Sequence, residues 1–199
     1  MEVYEAIVKR RTIRRFRQKP IPEDVLVKIV NAGRLAPSGA NLQPCEFIIV
    51  DDPDTVAQVF QTVAWAGYIA PAGTPPEGKR PVAYIVSLQN TEVKPVTPTA
   101  DLAAAIENMI LAAMGEGIGS CWIGSVNRKK LAEMLEIPDS HYIDSVLALG
   151  YPDESPVVEE ENGSIKYWKD PQGVLHVPKR PLRKIVHRNR FGIRTSCAA

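Results

Sequence analysis

Five arginines fall within the eight residues Arg10-Arg11-Thr12-Ile13-Arg14-Arg15-Phe16-Arg17, and charge at that density needs an anion. If the short helix before them continues, the i, i+4, i+7 spacing puts Arg10, Arg14 and Arg17 on one face and three guanidinium groups converge. Such a cluster could be neutralised by solvent and scattered carboxylates, bind a nucleic acid, or grip a phosphate ester. A second stretch, Pro37-Ser38-Gly39-Ala40-Asn41-Leu42-Gln43-Pro44, carries small residues and two carboxamides. Asn41 and Gln43 have the donors and acceptors to read the edge of a planar heterocycle, or equally to hold their own turn. Signatures of protein-borne catalysis are missing: there is no GxSxG, HExxH or P-loop. Gly117-Ile118-Gly119 leaves a helix and enters a strand, the reverse of the dinucleotide fingerprint.

Composition narrows the choice. Lys+Arg 24 against Asp+Glu 23 gives a formal net charge of +1, too even for a protein that coats nucleic acid. The arginine cluster is therefore a local device. At 199 residues and 45% hydrophobic content, one well-buried domain is expected. Cys45, Cys121 and Cys197 are far apart and have no histidine cluster beside them, which suggests neither a disulfide framework nor a metal site. Cys45 and Cys121 lie in strand-like runs and read as small buried hydrophobes; His141, His176 and His187 are scattered and take no catalytic role. No apolar run has membrane-spanning length, and the acidic start Met1-Glu2-Val3-Tyr4-Glu5 lacks a signal-peptide core, so a soluble, unprocessed, cytoplasmic protein is expected.

The elements that must position these residues follow from periodicity. Val3 to Lys9 reads as a first helix that delivers the arginines. A second begins at Ile21-Pro22-Glu23-Asp24 and is stopped by Ala36-Pro37-Ser38-Gly39. Cys45 to Val50 is a strand, and Asp52 caps a helix through about Thr62. Trp65, Tyr68 and the Pro/Gly-rich run to Pro81 read as a mobile surface loop whose aromatic residues either stack on a substrate or pack locally. Val82 to Leu88 is the next strand, and Thr99 to Gly117 is an alanine-rich helix, apolar on most of its circumference and so central. Strand Ser120–Ser125, a helix capped by Asn127 and strand Tyr142–Leu149 complete the pattern. From Asp153 to Gly173 the chain turns acidic and weakly apolar and cannot build a core alone, and a second basic cluster follows at Lys179-Arg180-Pro181-Leu182-Arg183-Lys184.

Four stretches, in order, resemble the nitroreductase family of FMN-dependent oxidoreductases: Arg10 to Phe16, Ala36 to Pro44, Gly117-Ile118-Gly119-Ser120-Cys121-Trp122-Ile123-Gly124, and Lys179-Arg180-Pro181-Leu182. The resemblance implies an α+β fold with a mixed, mainly antiparallel sheet flanked by helices around a long central helix. It implies a single FMN-binding domain over 1–199, with 153–199 an extended tail wrapping the partner subunit of a homodimer.

It also implies roles. Arg10, Arg11 and Thr12 would hold the FMN phosphate and ribityl chain, and Arg14 would lie near the pyrimidine edge. Pro37, Ser38, Gly39 and Asn41 would come from the other subunit, and Gln43 would also bind the cofactor. Trp122 and the backbone of Ile123 and Gly124 would face the flavin, and Lys179 or Arg180 would close on the phosphate. Chemistry would belong to the cofactor, with no catalytic protein residue: NADH or NADPH donates hydride and a nitroaromatic or quinone takes it in a ping-pong cycle. The same scaffold also carries flavin cleavage, dehalogenation and azoline oxidation, or storage and sensing of flavin. This chain departs from the family pattern in having Thr12 where serine is common and Val177 before Pro178 in the tail motif.

Overall fold

The computed structural model describes residues 2–95 and 100–193 and divides into two units, 1–154 and 155–199. In chain order the first unit contains α1 (Val3–Lys9), β1 (Phe16–Arg17), α2 (Glu23–Arg34), β2 (Cys45–Val50), α3 (Pro53–Phe60), β3 (Ala83–Asn90), α4 (Ala100–Gly115), β4 (Gly119–Ile123), α5 (Arg128–Met134) and β5 (His141–Pro152). Among the described residues its strands form one antiparallel sheet, with β2 beside β3 and β3 beside β5; β4 and β1 both pair with the long β5.

Strand alternation divides the core into two layers. Tyr84, Val86 and Leu88 of β3 and Val146 and Ala148 of β5 face α3 and α5, where Val56, Val59, Phe60 and Leu131 meet them. Ala83, Ile85, Leu147 and Leu149 face the other way, onto Leu26 and Ile29 of α2 and Leu102, Ile106 and Met109 of α4. Gly33 lets these two helices close up, since a Cβ there would stand 2.8 Å from Met109 Cγ. Helix α4 ends in a hydrogen-bonded left-handed cap. Gly117, at φ +73, donates to the Met114 carbonyl at 3.1 Å, and Ile118 donates to Ala113 at 2.8 Å. The chain thereby turns straight into β4. The cap expected at Thr99 lies outside the described residues. Asp52 and Asn127 cap α3 and α5 as expected, accepting from the amides of Thr55 and Lys130.

Two expectations are corrected in this unit. The arginines do not continue α1: Arg10 already has ψ 130 and the chain runs extended, so the helical face shared by Arg10, Arg14 and Arg17 does not exist. Sheet pairing captures the segment instead. Ile13 donates to the Ser120 carbonyl at 2.9 Å, and Phe16 pairs with Pro152. Nor does Trp65 belong to a loop surface; it is 7% exposed and packs on Phe60 with ring centroids 5.8 Å apart, while Tyr68 remains exposed. The rest of that connection is tied down. Arg15 Nη2 donates to the Ala72 carbonyl at 3.1 Å, and the Phe16 amide to the Lys79 carbonyl at 3.0 Å.

The second unit holds β6 (Val157–Glu160), β7 (Trp168–Lys169), β8 (Leu175–Lys179) and α6 (Leu182–Ile185). Strand β8 pairs parallel with β6 and antiparallel with β7. This small sheet lies in the stretch expected to be an extended tail. Leu175 is buried, and His176 bridges Glu159 Oε2 at 3.0 Å and Asp170 Oδ2 at 3.3 Å. The Trp168 ring stacks on His176 at 4.2 Å. No described helix is long and apolar enough to cross a membrane.

Candidate functional site

Two glycines shape the ground on which the arginine segment lies. Gly119 and Gly150 are register partners on β4 and β5. A Cβ on Gly119 would stand 2.8 Å from Ile13 Cγ1, and one on Gly150 would stand 2.7 Å from Phe16 Cδ1. Their bare surface lets Ile13 and Phe16 sink to 7% and 0% exposure, which fixes the backbone between them. Glu154 then clamps that backbone, accepting from the amides of Arg14 at 2.5 Å and Arg15 at 3.2 Å.

Beside the segment lies a cleft of about 290 Å³ lined by Arg10, Thr12, Ser120 and Trp122, with Glu107 and Ile110 of α4 as its other wall. Arg10 Nε is 3.8 Å from Glu107 Oε1, a loose pairing for a guanidinium. Among the described residues the neighbouring Arg11 is bonded only to the Arg10 carbonyl, and burial, followed by the Arg10 charge, holds its pKa below the usual arginine range. A lining guanidinium held only loosely by its carboxylate, with a second cation next to it in the chain, leaves room for an anion. Trp122 is the outward residue of β4, 42% exposed. Its indole is fixed from behind, because Nε1 donates to Ser145 Oγ at 2.7 Å and that hydroxyl donates to Asp144 Oδ2 at 2.8 Å. The floor is thus a rigid aromatic edge flanked by the Thr12 and Ser120 hydroxyl groups. Ile123 is buried beside it, and Gly124 is exposed with open space where a Cβ would stand.

Arg14 stands outside the cleft wall. Its guanidinium lies against the buried Cys121 thiol, which burial pushes up to about 11. Cys45 is likewise pushed up to about 11 by burial, a shift that disfavours the thiolate at both cysteines.

The second set of expected residues lines a different cleft of about 120 Å³. Pro37, Ser38 and Gln43 meet Asp101 and Ala105 of α4 there. Ala40, Asn41 and Gln43 all have left-handed φ, at 50°, 55° and 52°; strain of this kind costs non-glycine residues about 1 kcal/mol each. The turn is held from both sides. Ser38 Oγ accepts from the Gln43 amide at 3.0 Å, and Asp101 Oδ1 accepts from the Gly39 amide at 3.0 Å. Lys94 Nζ bonds Asp101 Oδ2 at 2.6 Å, and that bond, helped by the Gly39 amide, keeps the carboxyl below its ordinary pKa.

Helix α4 keeps the two clefts apart. Asp101 and Ile110 are nine positions apart, about 13 Å along the axis and about 180° around it. The Arg10–Thr12–Trp122 group and the Pro37–Ser38–Gln43 group therefore lie on opposite faces of one helix, and within one chain they line two separate clefts. Lys179 and Arg180 belong to the second unit, exposed at the end of β8.

The sequence reading passed over Glu107, Asp101, Ser145 and Glu154. A carboxylate inside an alanine-rich helix was a visible signal for Glu107 and Asp101, whereas nothing local marks Ser145 or Glu154.

The sequence model of the Nitroreductase family matches residues 7–151. A protein of Archaeoglobus fulgidus named as an NADH dehydrogenase/NAD(P)H nitroreductase is 31% identical over 166 residues, covering 81% of this chain and 92% of its own. The crystal structure of a nitroreductase family protein from Clostridium novyi NT superposes with a TM-score of 0.67 at 32% identity, over 78% of this chain and 87% of that one. A nitroreductase from Bacteroides fragilis, crystallised with bound FMN, superposes with a TM-score of 0.62 at 27% identity, over 82% and 95%.

Proposed function

The chain belongs to the nitroreductase family, and from that premise we propose that it is an FMN-dependent NAD(P)H oxidoreductase acting on electron-poor small molecules, nitroaromatics or quinones. The observation that carries this reading is the Arg10–Thr12–Ser120–Trp122 cleft: a guanidinium only loosely paired with Glu107, with Arg11 next to it in the chain, two hydroxyl-bearing residues and a pinned aromatic edge. Those donors fit a phosphorylated flavin. A phosphate asks for guanidinium groups, a polyol chain for hydroxyl partners, and a flat ring for a rigid edge. When bound, FMN accepts hydride from NADH or NADPH and passes it to the second substrate.

The chain's own residues bind and orient. Arg10 and Arg11 hold the phosphate and Thr12 the adjoining hydroxyl chain. Trp122, locked through Ser145, limits where the ring can lie, and the exposed backbone at Gly124 leaves space for it. Arg14 acts from outside the wall, as a fixed positive charge near the pyrimidine side.

The working unit in this proposal is a homodimer. The opposite-face arrangement on α4 supports it, since a second copy could bring Pro37, Ser38, Gly39, Asn41 and Gln43 to the first copy's Arg10 cleft. Exposed apolar residues of α1 (Val3, Tyr4, Ile7 and Val8) offer surface for such an assembly. In the dimer, Lys179 or Arg180 of the tail closes on the phosphate. The cytoplasm is the compartment that suits the free Cys45 and Cys121.

An absorption spectrum followed by anaerobic addition of NADH and then NADPH tests the reading. Yellow protein bleached by either donor is the expected result. Yellow protein that neither donor bleaches would point to flavin storage or sensing, and colourless protein that fails to take up FMN would overturn the assignment.

A further inference from the structure

A pocket of about 290 Å³ away from both clefts remains without a role. It lies where the start of α3 meets the chain just before β3. Its apolar wall is Val56, Phe60, Pro20 and Pro81, and Arg80 and Gln18 supply its polar groups. The guanidinium of Arg80 lies over the Phe60 ring, 4.3 Å from its centroid. Its Nε is sealed from solvent and has no hydrogen-bond partner, and no carboxylate comes within ion-pair distance of the group among the described residues.

Asp51 lines the same pocket and forms no ion pair with the group among the described residues, and Asp153 and Glu154 are committed elsewhere. Asp153 pairs with Lys79 and Arg17, and Glu154 serves Arg15 and the Arg14 amide. A cation partly withdrawn from water, lying on an aromatic ring and lacking a counter-charge, is unfavourable on its own. Held beside an open apolar pocket, such a group is chemically suited to a carboxylate. Gln18 keeps the pocket in shape, since its Nε2 donates to the carbonyls of Arg80 at 2.9 Å and Phe16 at 3.2 Å.

We propose that this pocket binds a small apolar monocarboxylate, its carboxylate on the Arg80 guanidinium and its hydrocarbon or aromatic body against Phe60 and Val56. Asp51 also lines the pocket, and its negative charge disfavours a dianion such as phosphate more than a monocarboxylate. The volume, near the lower limit for small-molecule sites, suits a benzoate-sized body.

Calorimetric titration of the FMN-saturated protein with benzoate tests this. One site per chain is expected, with the flavin absorption bands unshifted. Arg80→Gln should weaken binding at least tenfold, and Ala57→Trp, on an exposed wall position, should abolish it with Arg80 still in place. Acetate, which has the charge without the body, and benzyl alcohol, which has the body without the charge, should each bind at least tenfold more weakly. Arg80→Lys, which keeps the charge, should retain part of the affinity and controls for folding of the Gln variant. Binding that shifts the flavin spectrum and survives Arg80→Gln would place benzoate at the flavin and overturn the proposal; so would no binding at millimolar benzoate.

Discussion

The chain has two basic clusters, and they are held in opposite ways. The first, Arg10 to Arg17, rides on a backbone locked by buried packing: Ile13 and Phe16 sit over Gly119 and Gly150, and Glu154 clamps two amides. The second, Lys179 to Lys184, is exposed and held by surface ion pairs, Arg183 to Glu160 at 3.0 Å and Lys184 to Glu161 at 3.0 Å. A buried framework fixes where charges point before a ligand arrives, whereas surface pairs exchange readily with water and salt. The first cluster is thus preformed and the second adjustable.

Gly150→Ala should break the first cluster hardest. Its new Cβ would meet Phe16, a residue with 0% exposure, at 2.7–2.9 Å, and overpacking of this kind costs about 1–3 kcal/mol. Urea denaturation should show the loss, and flavin content per chain should fall with it because the arginine segment moves. Gly115→Ala is the control, since nothing lies within 4 Å of its added Cβ. A Gly150→Ala protein as stable as the parent would show that the segment is not held by this packing.

Arg10→Ala removes a charge from the same framework without disturbing it. FMN retention should weaken by about 1.5–3 kcal/mol, the scale of a hydrogen bond to a charged group, while the urea midpoint stays put. Fluorescence titration with FMN measures the first and denaturation the second. Unchanged FMN affinity would remove Arg10 from the site.

How legible this framework was in the sequence depended on whether the cause was local. The 3.6-residue stripe of α2, the alanine-rich α4 and the apolar runs of β2, β3 and β5 carry their own signal, and the structure places them where periodicity does. The arginine segment is different. Its helical spacing was real, but Thr12 and Ile13 are β-branched and a sheet edge was waiting 107 residues on at Ser120, so tertiary pairing overrode local preference. Sheet β6-β8-β7 was invisible because its strands are two to five residues long and β8 contains Pro178, which argues against a strand. The division of the expected site into two clefts needed the α4 faces in three dimensions, although Asp101 and Glu107 were already conspicuous in that helix.

In the second cluster's unit, the sheet that carries Lys179 is pinned by a titrating group. Hydrogen bonding to Glu159 raises the His176 pKa above 6.5, with Asp170 adding to the effect against some burial. A pKa raised on folding means that the stabilisation is complete below the unfolded value near 6.5 and is lost as pH climbs through the folded value. Glu159 works in the opposite sense. Its pKa is lowered, first by the Trp168 indole and then by His176, so its share is lost only as pH falls well into the carboxylate range. The β6-β8-β7 sheet should therefore be tightest in mildly acidic solution and loosen above neutrality. Hydrogen exchange at 157–160 and 175–179 against pH measures this, and His176→Gln should flatten the profile. Equal exchange at pH 6 and pH 8.5, after correction for intrinsic rates, would remove His176 as the pin.

The smallest effect belongs to the surface pairs themselves. Arg183 and Glu160 are 59% and 55% exposed in their side chains, and pairs of this kind contribute about 0–1 kcal/mol. Arg183→Ala should leave the urea midpoint nearly unmoved, and any difference from the parent should vanish in 0.5 M salt, roughly where the Debye length drops below one side chain. A loss on the Gly150→Ala scale would instead mean that the second cluster is as firmly built as the first, and the contrast between a preformed and an adjustable cluster would fail.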